Sequence, residues 1–272
     1  MSPTPPTPDR GASPIRALFR HRTLLGNFYR REIRNRYIGS ASGMFWALLH
    51  PLLLLGVYTF IFAMVFRPPE LAGRPYLIYV AIGLWPWLAF QEALQRGAIS
   101  IQTYSGLIKK VAFPHELAVY GSVGATFTLH LAGYVLVLLV LWALGQPLTL
   151  VGLPLAMLLW LVTLVAACGF ALALAAVQVF LKDTEHVLGP LMQILMYLAP
   201  ILYPLSLVPP DLRPWVAANP VSYVLERLHD ALEGGLPLPV LSDLWALGVA
   251  ALILVLGRAL FLRLSPYFED FV

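Results

Sequence analysis

Side chains that exchange protons, hold metals or cradle phosphates are scarce in this sequence. The histidines stand at 21, 50, 115, 130, 186 and 229, and no two are spaced to share a metal on one helix face. The only lysines are Lys109, Lys110 and Lys182, and no Gly-Lys pair exists to hold nucleotide phosphates. ATP hydrolysis by this chain alone is therefore not expected. Convergent carboxylates and an activated nucleophile are also missing, which argues against a hydrolase or transferase. Ion-coupled carriers place acidic groups or histidines at mid-membrane. His50 and His130 come nearest to such positions, and neither is expected to have an acidic partner in a span. The lone Cys168 lies in an apolar run and reads as packing. What remains distinctive is the stretch Leu107–Leu117 (LIKKVAFPHEL), where charge, an aromatic and a proline sit together. It suits docking into a cleft on another protein, or serves as an ordinary basic loop.

The elements that carry these residues are set by hydrophobicity. The chain is 59% hydrophobic and 12% charged, against a soluble norm of about 45–50% and about 25%. From Leu117 to Leu181 there is no Asp, Glu, Lys or Arg. Since about 20 apolar residues cross the hydrocarbon layer, this stretch must cross twice. Six spans are expected, near 44–66, 76–97, 117–143, 149–180, 187–205 and 242–262. Gly145-Gln146-Pro147 makes the third and fourth a tight antiparallel pair. The fold class is all-α, a polytopic membrane protein with six transmembrane helices. No cleavable signal peptide is expected, and the first span acts as its own insertion signal.

Eight of the eighteen Lys and Arg precede Phe45, so the charge of +4 points to anionic headgroups and topology rather than to nucleic acid. With the N-terminus in the cytoplasm, fourteen of the eighteen fall inside and four outside. Both termini are therefore expected to be cytoplasmic, with Arg258 and Arg263 reaching from the last span to headgroups. Residues 1–14, rich in proline, read as a flexible tail. Residues 15–38 carry Leu18, Leu25, Tyr29, Ile33 and Tyr37 at helical spacing among arginines that include Arg30, Arg31 and Arg34. This is the pattern of a basic amphipathic helix on the membrane surface. The transmembrane domain is expected over 39–265, and 266–272 form a cytoplasmic tail. Within the outer segment 204–240, Asn219-Pro220 starts and Gly234-Gly235 ends a short helix. Its stripe of Val221, Val224, Leu225, Leu228 and Leu232 needs a partner, which could be lipid, this chain or a second copy.

Several blocks in order resemble one family. They are Arg34–Phe66 (RNRYIGSASGMFWALLHPLLLLGVYTFIFAMVF), Gly83-Leu84-Trp85-Pro86-Trp87, the loop 107–117, Leu181-Lys182-Asp183, Ala199-Pro200-Ile201-Leu202-Tyr203 and Asn219-Pro220. The chain resembles the ABC-2-type permeases that export lipid-linked polysaccharides such as O antigen, capsule and teichoic acid. It departs in His115 and Lys182, where that family often has Arg, and in Ala199, where Ser is frequent. The resemblance implies a homodimer in the bacterial inner membrane, paired with two copies of a separate ATPase. It leaves no cofactor on this chain, with ATP and Mg on the partner. In such exporters the interface helix (Arg30, Arg31, Arg34) and a coupling loop (Ile108, Lys109, Lys110, Phe113, Pro114, His115, Glu116) meet the ATPase. Lys109, Lys110 and Glu116 would supply charged docking contacts. The helix carrying Val221, Leu225 and Leu228 resembles the extracellular gate. Sugar rings stack on aromatics, so Tyr58, Phe62, Trp85, Trp87, Phe90, Tyr197 and Tyr203 are the candidate channel lining. The alternatives are a drug or lipid exporter of the same fold, or a membrane-embedded glycan-assembly factor that needs no ATPase.

Overall fold

A computed structural model of the chain describes residues 20–37, 43–66, 76–111, 113–234 and 238–271. Helices and short connections make up these residues, with no strand among them. In chain order the helices are α1 (Arg22–Tyr37), α2 (Gly43–Thr59, widened into a π-turn over Phe60–Phe66), α3 (Tyr76–Thr103), α4 (Ser105–Ile108), α5 (Glu116–Ala143), α6 (Leu153–Phe180), α7 (Thr184–Leu198), α8 (Arg213–Ala217), α9 (Pro220–Leu232), α10 (Leu241–Leu264) and α11 (Phe268–Phe271). The expected tail 1–14 and the start of the expected helix 15–38 lie outside the described residues.

Five segments are long and apolar enough to cross a bilayer: 49–66, 76–103, 116–143, 150–180 and 241–271. The chain is a multi-pass membrane protein. The expected span 187–205 differs from the other five. Its helix, α7, has 15 residues, a rise of about 22 Å, and ends at Leu198. Pro200 is the reason: the residue before a proline is forced out of the helical region, and Ala199 is extended at φ −102° and ψ 151°. The carbonyls freed beyond this break are met from α3. The Tyr76 hydroxyl donates to Leu202 O at 2.7 Å, and the Tyr79 hydroxyl lies 3.0 Å from Pro200 O and 2.9 Å from Tyr203 O. Irregular backbone survives among membrane helices where protein satisfies it in this way.

At the centre is α3, buried along most of its length against α5 and α6. Pro86 interrupts its ladder by withholding the N–H that Ile82 O would accept. The Tyr134 hydroxyl of α5 reaches that carbonyl at 3.4 Å. Gly145, at φ +76°, turns the chain between α5 and α6, and Gln146 N donates back to Leu141 O at 3.1 Å to close the helix end. Against α6 lies α10, in backbone contact: a Cβ on Gly257 would lie 2.0 Å from Gly169 O, and one on Gly169 2.6 Å from Ile253 C. Small residues let membrane helices approach this closely.

The helix α1 lies against α5 and reaches α3 through side chains. Phe28 packs on Tyr104, Glu32 meets Arg96, and Arg36 reaches Glu92. Each turn of α1 thus meets a point further along α3, so α1 runs up the flank of α3 and α5. The segment expected as a cytoplasmic tail, 266–272, includes α11, whose Phe268 is fully buried.

Candidate functional site

The end of the bundle that bears Lys109 and Lys110 brings together chain segments distant in sequence. Ile108 is buried and anchors α4, while Lys109, Lys110 and Val111 are exposed on the turn that follows. Beyond the turn the loop is held by rings. Phe113 lies 5.3 Å from Phe28 of α1 and 5.3 Å from His115, and His115 stacks at 6.2 Å on Phe268. Phe268 in turn touches Phe180 at the end of α6 and Phe261 of α10. Pro114 is half-buried beside them. Four elements, α1, α6, α10 and α11, therefore converge on one loop.

Two of the expected docking side chains have other roles. Glu116 is 3% exposed, and Arg258 of α10 grips it from Nε at 2.7 Å and from Nη2 at 3.1 Å. Its charge is spent inside the chain and not offered to a partner. For the same reason Arg258 does not reach for headgroups, whereas Arg263 is exposed. Burial holds the His115 imidazole below its usual pKa, against an opposing pull from Glu269. A His whose pKa drops below 6.5 is neutral at pH 7, so the loop's basic character comes from Lys109 and Lys110.

Behind the loop lies an ionic knot that sequence reasoning missed. Glu92 of α3 is met by Arg96 Nε at 2.5 Å, His130 Nε2 at 2.7 Å and Arg36 Nη1 at 3.3 Å. Arg36 also binds the Thr126 hydroxyl. Arg96 continues to Glu32 at 3.4 Å, and the Tyr104 hydroxyl donates to the other oxygen of Glu32 at 3.4 Å. His130 therefore does have an acidic partner in a span, contrary to the sequence reading. The signal was Glu92 and Arg96 at i and i+4 in an otherwise apolar helix. On α1, Arg30, Arg31 and Arg34 are exposed. Only Arg36 turns inward.

The candidate lining aromatics separate into two sets. Trp85, at 1% exposure, is enclosed against Gly133, and cannot face a channel while the bundle stays closed. Trp87 and Phe90 line an apolar cavity of about 740 Å³ that opens to the surface. Tyr58 and Phe62 are half-buried, Tyr197 is exposed, and the half-buried Tyr203 donates from its hydroxyl to Tyr197 O at 2.7 Å. Phe62 also begins a row of stacked rings, with Tyr76 at 5.6 Å, Tyr79 at 6.4 Å from Tyr76, and His229 of α9 at 4.1 Å from Tyr79.

At the opposite end, Asn219 caps α9 by accepting from Val221 N at 3.0 Å, and Gly234 follows it at φ +90°. The apolar stripe of α9 finds its partner in this chain. Leu225 and Leu228 are buried, and Val221 is half-buried beside the cavity. A Cβ on Gly152 would lie 1.7 Å from Ala231 O, so only glycine lets α9 sit on the start of α6. Arg227 ties α9 to α10 through Asp243, at 3.1 Å and 3.0 Å.

A family model described as ABC-2 type transporter matches residues 23–232. The chain belongs to the ABC-2 type transporter family. The O-antigen export system permease protein RfbA of Myxococcus xanthus is 29% identical over 245 residues, covering 89% of this chain and 92% of that protein. A Klebsiella pneumoniae protein of the same description is 24% identical over 251 residues, 88% and 91% of the two chains. The polysialic acid transport protein KpsM of Escherichia coli is 25% identical over 210 residues, 75% and 79%. The ABC-2 match includes the knot, the loop and α9, and it stops before α10.

Proposed function

We propose that this ABC-2 chain is the permease subunit of an ATP-driven exporter that moves a lipid-linked polysaccharide out of the cytoplasm across the bacterial inner membrane. Two copies form the channel at their interface, and two copies of a separate ATPase, with its ATP and Mg, dock on the cytoplasmic face. The observation that carries this reading is the loop Ile108–Glu116. It presents Lys109 and Lys110 on a base joined to α1, α5 and α10, so a push from a docked partner is delivered to three elements at once. The polysaccharide is supported by the names of the relatives, which concern O antigen and polysialic acid. The half-buried or exposed Tyr58, Phe62, Phe90, Tyr197 and Tyr203 remain the candidate aromatics to line the route. Short α7 and the extended residues after it complete the remaining crossing, which puts both termini in the cytoplasm.

Deletion of the gene tests this reading. Cells without it should lose the surface polymer and accumulate its lipid-linked form inside. Unchanged surface polysaccharide refutes the substrate. Altered drug resistance with a normal surface would assign a drug or lipid exporter, and activity retained with no copurifying ATPase would assign a glycan-assembly factor.

A further inference from the structure

We propose that α10 is the strut that carries movement of the loop 108–116 to the outer helix α9, with Arg258 and Asp243 as the positioning residues that fasten its two ends. This inference rests on the exporter reading above. At one end Arg258 makes its two-pronged bond to Glu116, the last residue of the loop and the first of α5. At the other end Asp243 accepts two bonds from Arg227 and one from the Tyr223 hydroxyl at 2.7 Å, both on α9. Fifteen residues separate the fasteners, a rise of about 22 Å, and α10 is helical throughout.

Between its ends, α10 packs along one neighbour, α6. Its crossing with α6 is made by Gly169 and Gly257 backbone, a contact without interlocking side chains. Leu244, Trp245, Leu252, Val255 and Leu256 all face outward. Beside it lies the cavity of about 740 Å³, bounded by Val221, Val224 and Leu225 of α9 and by Trp245, Val249 and Ile253 of α10. Close-packed interiors resist displacement, and this cavity, which opens to the surface, leaves the facing sides of the two helices unpacked against protein. A buried guanidinium and carboxylate do not separate readily in an apolar setting. The ends therefore travel with the rod, which pivots on its glycines.

The test uses the permease copurified with its ATPase in nanodiscs, and reads amide hydrogen exchange over 221–232 with and without a non-hydrolysable ATP analogue. The wild-type complex should show an analogue-dependent shift in α9. The neutral pair Glu116→Gln with Arg258→Met leaves no unpaired buried charge, and so should fold, bind the ATPase and lose that shift. The swapped pair Glu116→Arg with Arg258→Glu should restore it. A structural role alone would leave the shift in the neutral pair intact, and that result overturns the strut, as does a wild-type complex whose α9 ignores the nucleotide. A wild-type chain that binds no ATPase overturns the exporter reading, and this inference falls with it.

Discussion

Arg227→Met cuts the outer fastener of α10 and leaves Asp243 without its cation. The bonds of Arg227 include two to Asp243, one to Asp230 at 3.1 Å and one to Leu238 O at 3.1 Å. Asp243 has no exposed surface, so its charge cannot turn to water. Breaking one partner from a buried ion pair costs about 3–5 kcal/mol. Here Asp243 keeps the Tyr223 hydroxyl at 2.7 Å and Val240 N at 2.8 Å, and it sits in the first turn of α10, near the end of the span. Both features place the loss near the lower bound, about 3 kcal/mol, roughly a hundredfold in the folding equilibrium. Adding Asp243→Asn removes the stranded charge, and its amide can still accept from Val240 N while its NH2 donates to the Tyr223 hydroxyl oxygen, so the double variant should lose less than the single. Titration with denaturing detergent in mixed micelles, followed by tryptophan fluorescence, gives both values. If Arg227→Met lies within about 1 kcal/mol of wild type, or the double variant loses as much as the single, the pair is solvated and the argument from burial is wrong.

Two further outcomes are read from local geometry. Gly257→Ala should destabilise by about 1–3 kcal/mol through overpacking, because its Cβ would meet Gly169 O at 2.0 Å. Gly248→Ala in the same helix meets nothing within 4 Å and should be neutral or stabilising in the same melt. Reversing Lys109 and Lys110 to Glu should cut copurification of the ATPase at least about tenfold, equivalent to about 1.4 kcal/mol, with membrane insertion unchanged. Equal copurification would reduce the loop to a connector.

Most of the fold is legible because hydrophobicity alone dictates where helices cross. The five long segments begin and end close to the apolar limits of the sequence, and the α9 caps follow from Asn219-Pro220 and Gly234. The expected span 187–205 is not one continuous helix, because hydropathy continues through Pro200 while the helix cannot. The site was legible only in part. Exposed Lys109 and Lys110 behave as their local sequence suggests, since no distant residue competes for them. Glu116 does not, because its partner Arg258 is 142 positions away, and no local pattern encodes so remote a pairing. Trp85 shows the same limit: an aromatic in a span suits a channel wall or a core, and its contact with Gly133 of another helix decides for the core.

The pairing of Glu92 with His130 reopens a question that the sequence had closed, since a buried carboxylate beside a histidine is how an ion-coupled carrier would hold its driving proton. Geometry argues against that use. Glu92 already receives Arg36 and Arg96 as well as His130, so two permanent cations neutralise it before any ion arrives. Protonating Glu92 would take a carboxylate partner from the enclosed Arg36, where weakening an ion pair is costly, while Arg96 keeps Glu32. Arg36 is all but enclosed, with 8% of its side chain exposed. The cluster is thus better suited to fastening α1 to α3 and α5 than to cycling a proton. Inverted vesicles supplied with ATP should therefore take up lipid-linked polymer at an undiminished rate after a protonophore collapses the proton gradient. Uptake that stops with the gradient while ATP persists would make Glu92 and His130 the driving-ion site and refute the ATP-coupled mechanism.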